Sequence, residues 1–275
     1  MNSKCNEIQG IGTLERSRLS ELLRGCRGSI SISEGVNLLK MPRNSVARML
    51  SKYAKKGWLT RIAPGIYLPV PLESATADIV AEDMLSLSEK LFAPCYLSGW
   101  TAAEYWGFTE QIFQSIVVIT QRKQKNYHPI IQGTSYQLYL ASNARFFGLK
   151  TIWRGNIPVK IADPSRLLID LMYRPEMAGG IRSVADFFSS YLTSDKRNIT
   201  ALSDYLVQFD SGVACKRLGF LAEKLCPDEA KLIELCLKGI SKGSSKLDPT
   251  LVCTKYVTRW NLTIPQSWLK EGPND

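Results

Sequence analysis

The chain has 275 residues, 45% hydrophobic and 22% charged, with a formal net charge of +10. That length supports a substantial core and about two domains. No apolar run approaches the roughly 18 residues that cross a bilayer, and the opening MNSKCNEIQG lacks a signal-peptide core, so the expected compartment is the cytoplasm, with no membrane partner.

Seven cysteines are scattered without a Cys-x-x-Cys pair, and His128 is the single histidine. This excludes a zinc site of the usual spacing and leaves no partners for a histidine-based triad. No catalytic, cofactor-binding or metal-ligating residue is expected, and the cysteines read as reduced, mostly buried thiols. The charge is unevenly placed. Residues 1–70 carry twelve Lys and Arg against four Asp and Glu, a net +8, whereas the remaining residues carry 23 against 21. A basic unit on a nearly neutral body is the composition of a protein whose first part meets a polyanion.

In chain order, Leu19, Leu22, Leu23 and Cys26 form the apolar stripe of a first helix, closed by Gly25 and Gly28. Ser31 and Glu34 have the spacing of a capping box for a second helix ending near Leu39. Pro42 suits the first position of a third helix. On that helix Val46, Met49, Leu50, Tyr53 and Ala54 gather on one side. Ser45, Arg48, Lys52 and Lys55 gather opposite, with Asn44, Ser51 and Lys56 at the margins. Gly57 suits the C-cap.

Two strands, Trp58–Ile62 and Ile66–Leu68, follow around a Pro64-Gly65 type II turn. Three helices and a hairpin predict a winged helix-turn-helix over residues 1–70. There Arg43, Asn44, Ser45 and Arg48 are candidates for base edges. Lys52, Lys55 and Lys56 are candidates for phosphates, and Arg61 and Tyr67 for the wing. The competing reading is a solvated or protein-binding face. Against it, seven Lys and Arg and no Asp or Glu occur from Lys40 to Arg61, whereas solvated faces normally mix signs.

The remainder, residues 71–275, is expected to form a larger mixed domain. PVPLES (69–74) reads as a linker and 76–91 as a helix. Trp100, Tyr105, Trp106 and Phe108 are expected in the core rather than stacked on bases. SIVVIT, YQLYLA, KTIWR and VKIA read as strands of a small antiparallel or mixed sheet. The loop QRKQKNYH offers Arg122, Lys123 and Lys125 as a second nucleic-acid contact, or simply a solvated turn. Asp163 and Pro164 are placed to begin a helix, and Asp170 is expected at the surface. Helical apolar spacings then dominate, so the fold class is α+β with a helical C-terminal portion.

The ordered segments YAKKGWLTRIAPGIYLP, YLSGWTAAEYWGF, KIADPSRLLIDLMYRPEMAGG, ACKRLGFLAEKL and TRWNLTIP resemble the AbiEi antitoxins of type IV toxin–antitoxin, or abortive-infection, systems of phage defence. The resemblance implies a winged helix that binds inverted repeats in its own promoter and represses the operon. It also implies a C-terminal domain for antitoxin activity and self-association on DNA. The implied functional partner is a co-encoded nucleotidyltransferase toxin, opposed without a stable complex. Alternatives are an operon regulator whose second domain binds a ligand or oligomerises, and a nuclease with a DNA-binding head. For the nuclease, Asp163 in VKIAD is the nearest acidic candidate.

Overall fold

The computed structural model describes residues 10–26, 28–70, 84–154 and 157–269. Its order is α1 (Thr13–Gly25), β1 (Ile30–Ser31), α2 (Ile32–Leu39), α3 (Arg43–Lys55), β2 (Leu59–Ala63), β3 (Ile66–Pro69), α4 (Met84–Phe92), β4 (Cys95–Leu97), α5 (Gly99–Trp106), β5 (Ser115–Thr120), β6 (Ile130–Ile131), β7 (Thr134–Leu140), β8 (Leu149–Arg154) and β9 (Ile157–Ala162). Five helices follow: α6 (Pro164–Tyr173), α7 (Ile181–Thr193), α8 (Ile199–Phe209), α9 (Gly212–Leu225) and α10 (Ala230–Gly239). Short strands β10 (Ser245–Lys246), β11 (Lys255–Val257) and β12 (Leu262–Ile264) close the chain. The fold is α+β with a helical C-terminal part.

Packing divides the chain into two units. One comprises Met1–Pro94, His128–Tyr136 and Ile152–Val159; the other comprises Cys95–Tyr127, Gln137–Thr151 and Lys160–Asp275. The first unit therefore continues past residue 70 to Pro94 and includes two later segments. Side-chain bonds of α4 account for this: Lys90 pairs with Glu34 at 3.0 Å and also donates to the Ser29 carbonyl. Of the expected linker at 69–74, Pro69 belongs to β3 and the part from 71, like the start of the helix at 76, lies outside the described residues.

In the first unit, Leu19, Leu22, Ile30, Val46, Leu50, Tyr53, Leu59 and Tyr67 form one apolar cluster. The stripe of α1 is narrower than expected, because Leu23 is 44% exposed. The capping box is present: the Ser31 hydroxyl accepts from the Glu34 amide, and the Glu34 carboxylate accepts from the Ser31 amide at 2.8 Å. Such a cap is worth about 1 kcal/mol. Lys40 adopts left-handed φ of 53° to end α2, and Pro42 is the N-cap of α3, one position before that expected. The apolar side of α3 is inside as predicted: Val46, Leu50 and Tyr53 are fully buried, and Met49 and Ala54 pack against the cluster. After the helix, Gly57 (φ 80°) takes the left-handed position that only glycine occupies without strain.

Six strands form a mixed sheet in the order β6-β7-β5-β4-β9-β8. In the second unit β4 runs antiparallel to β5 and parallel to β9. β4 and β6 are too short for the alternation of a strand to register in the sequence. Asp163 caps α6 with Pro164 behind it, as expected. Asp170 differs from expectation: it is 3% exposed, not at the surface. Among the aromatics expected inside, Phe108 is buried and Trp100 and Trp106 are partly so, but Tyr105 is 44% exposed.

Arg217 holds the end of α6 by donating to the carbonyls of Met172 and Tyr173, each at 2.9 Å, and its remaining donors reach the Lys246 carbonyl. Asp248 accepts the Ile181 amide at 2.8 Å and so satisfies a donor in the first turn of α7. Among the described residues no helix is long and apolar enough to cross a membrane.

Candidate nucleic-acid interface

The basic face of α3 is built by the cluster on its other side. Burial of Val46, Leu50 and Tyr53 fixes the rotation of the helix, which leaves Arg43, Asn44, Arg48, Ser51, Lys52 and Lys55 exposed. Ser45 is half-buried. The Pro42 carbonyl accepts the amides of Ser45 and Val46 at 2.9 and 3.1 Å. No acidic residue stands in the first turn, so the positive end of the helix dipole is not offset by a side chain. Arg43, Arg48 and Lys55 form no hydrogen bond or ion pair among the described residues.

Two of the predicted cations are engaged. Glu15 of α1 accepts an ion pair from Lys52 and a second, at 3.3 Å, from Lys56. The Lys52 ammonium is the main reason that the Glu15 carboxyl is held below its ordinary range, with Lys56 adding to the effect against partial desolvation. Lys56 also donates to the Gly10 carbonyl at 3.2 Å. Tyr53 supports the same corner from inside, its hydroxyl donating to the Glu15 carbonyl at 2.9 Å. Reading α3 alone missed Glu15, because the acid lies 37 residues earlier than Lys52 and only packing of α1 brings it near.

The hairpin forms as expected, with a turn at Pro64 and Gly65 (φ 80°). Its strands pair Arg61 with Tyr67 and Ala63 with Ile66, and an irregularity between Arg61 and Ala63 twists the tip. β1 adds a third strand, Ile30 opposite Tyr67. Arg61 is exposed, its Nε 3.4 Å from the Ala63 carbonyl. Tyr67 is corrected: it is 4% exposed and belongs to the apolar cluster, so its ring is a core element and not a wing contact. Strand alternation alone could have found this, since Tyr67 faces opposite to Ile66.

Arg122, Lys123 and Lys125 lie in the loop between β5 and β6, and all three are exposed. They belong to the second unit. Asp163, the acid nearest to a nuclease motif, has both oxygens occupied: Oδ1 accepts the Arg166 amide and Oδ2 the Tyr205 hydroxyl, each at 2.8 Å. Among the described residues no group of three or more His, Cys, Asp and Glu could hold a metal ion.

No protein-family model matches the chain. No curated protein matches it either. In three dimensions the chain is similar to the crystal structure of the RV2827C protein from Mycobacterium tuberculosis. The TM-score is 0.59 at 15% sequence identity, over 94% of each chain. At that identity the likeness concerns the fold alone.

Proposed function

We propose that the protein is a transcriptional repressor that binds double-stranded DNA through α3, with the hairpin as its wing. The carrying observation is the acid-free exposed face of α3, with Arg43, Asn44, Arg48 and Lys55 presented while the opposite face is locked in the core. The order α1-β1-α2-α3-β2-β3 supports a winged helix, whose third helix docks in the major groove with its N-terminal residues toward base edges. Arg43, Asn44 and Arg48 take that role; Lys55, Lys52 and Arg61 meet phosphates. The resemblance to AbiEi antitoxins extends the reading. The target becomes an inverted repeat in the protein's own promoter, and the second unit counters a co-encoded nucleotidyltransferase toxin.

The test is binding of the full chain to its upstream DNA by fluorescence anisotropy across a salt series. Arg48→Ala with Lys55→Ala should weaken binding at least tenfold, and the loss of the Lys55 phosphate contact should reduce the salt slope by about 1. Unchanged affinity and slope in this variant, with the fold intact, refutes the assignment of α3. The antitoxin role is tested separately, by rescue of growth on co-expression with the product of the neighbouring gene.

A further inference from the structure

The second unit contains a cluster that the DNA reading does not use. A small cavity of about 20 Å³ is lined by Arg145, Arg166, Arg174, Tyr139, Tyr173 and Asp170, among others. Its floor is buried, with Arg166 fully inaccessible and Asp170 3% exposed. Its rim, at Tyr139, Arg145, Tyr173 and Arg174, is partly exposed, so the cavity opens to solvent.

The cationic groups around it exceed their partners. Arg166 is committed to Asp170 and donates to the Tyr96 hydroxyl and the Arg145 carbonyl, yet its Nε is buried with no hydrogen-bond partner. Arg145 and Arg174 form no ion pair among the described residues; Glu176, close by in sequence, pairs with neither and has Oε2 buried without a partner. What holds the rim arginines is aromatic. The Arg145 guanidinium carbon lies 4.3 and 4.2 Å from the ring centroids of Tyr173 and Phe209, and that of Arg174 lies 5.2 Å from Tyr139 and 5.5 Å from Tyr173. Ring contacts fix a guanidinium while leaving most of its N–H donors available for an acceptor. The positive charge of Arg145 beside it lowers the Tyr173 phenol from its ordinary value despite partial burial, and Arg174 adds to the pull.

The geometry points to a binding site for a phosphate-type anion, with one oxygen in the cavity and the rest of the group between the Arg145 and Arg174 guanidiniums at the rim. The volume accommodates one oxygen-sized group, and planar guanidinium forks match a tetrahedral oxyanion. The residues all lie in the second unit, so this site stands whether or not α3 binds DNA. The anion is either free phosphate or the phosphate of a monoester.

The experiment is thermal unfolding of the full chain at constant ionic strength, with inorganic phosphate in one arm and adenosine 5′-monophosphate in the other. A saturable rise of about 3 °C is expected for the bound species. A rise with inorganic phosphate alone identifies the free ion, and a rise at lower concentration with the monoester identifies the ester; both support the site. The rise should persist in Arg48→Ala with Lys55→Ala and vanish in Arg145→Gln and Arg174→Gln. No rise with either probe, or an equal rise in Arg145→Gln, overturns the proposal. A phosphorus-NMR titration of the wild-type chain reads the same event without a variant. Saturation at one equivalent supports the site, and its absence refutes it.

Discussion

Arg166 and Asp170 stand one turn apart on α6, both buried, with Nη1 of the arginine 2.5 Å from Oδ1 of the aspartate. Ser98 donates to the other carboxylate oxygen at 2.8 Å, and the Tyr96 hydroxyl lies 3.2 Å from it. Helix α6 is thereby tied to β4 and to the residue that follows it. Burial works to raise the Asp170 pKa, while Arg166, Ser98 and Tyr96 oppose it. The consequence of this arrangement is asymmetric.

Asp170→Asn should destabilise the protein by about 3–5 kcal/mol, because Arg166 then remains as a buried, unpaired charge. Replacing both residues together, Arg166→Met with Asp170→Leu, should recover most of that loss, since no orphaned charge remains. Urea unfolding monitored by circular dichroism measures both. A double variant no more stable than Asp170→Asn would show that the pair itself, not the orphaned charge, sets the cost.

Gly219 sits inside α9 against Trp260. A Cβ built there would overlap the Trp260 ring and lie 2.9 Å from the Cys236 Cβ. Trp260 has little freedom to withdraw, being fully buried with its indole N–H donating to Glu223 at 2.6 Å. In an exposed helix Gly→Ala stabilises by about 1 kcal/mol; here overpacking should reverse the sign, with a loss of about 1–3 kcal/mol or more. A thermal melt of Gly219→Ala decides it, and a melting temperature at or above wild type contradicts the packing described.

Glu34 couples the capping box to Lys90. Burial tends to raise its pKa, but the hydrogen bond from the Ser31 amide and the Lys90 ammonium outweigh this and hold it below the ordinary value. Because the folded pKa is the lower one, the stabilisation is present above the unfolded pKa and is lost as pH falls through the folded value. Glu34→Gln preserves a capping acceptor but removes the charge, and should cost about 0.5–1 kcal/mol at neutral pH for a partly exposed pair. That difference should shrink as pH falls below the ordinary carboxylate range and close once Glu34 is protonated in the folded chain. Stability curves of the two proteins against pH give the comparison; a gap that widens in acid would contradict the sign.

Glu15 holds Lys52 and Lys56 at the edge of the basic face. If that face meets DNA, Glu15→Gln releases two cations and removes one like charge from the phosphates. Affinity should then rise a few-fold at low salt, and the salt slope should steepen by roughly 1. Anisotropy titrations against the same duplex measure the effect, and weaker binding by Glu15→Gln would assign the pair a role in shaping the interface.

Local rules made much of the molecule readable. The rotation of α3 followed from the spacing of Val46, Leu50 and Tyr53, because one helix face must leave water. The Ser31–Glu34 box, the Asp163 cap and the Pro64-Gly65 turn were legible for the same kind of reason: each is settled by groups close together in the chain. Charge counting separated a basic first segment from a neutral remainder. Tertiary structure decided what depends on distant partners. It assigned Lys52 and Lys56 to Glu15, turned Tyr67 into the core, and moved the α4 segment into the first unit. It also buried Asp170 with Arg166 and assembled Arg145 and Arg174 around the same cavity. An ionised side chain reads as a surface residue until its counter-charge is found, and for these the partners come from other elements or from a helix enclosed on all sides.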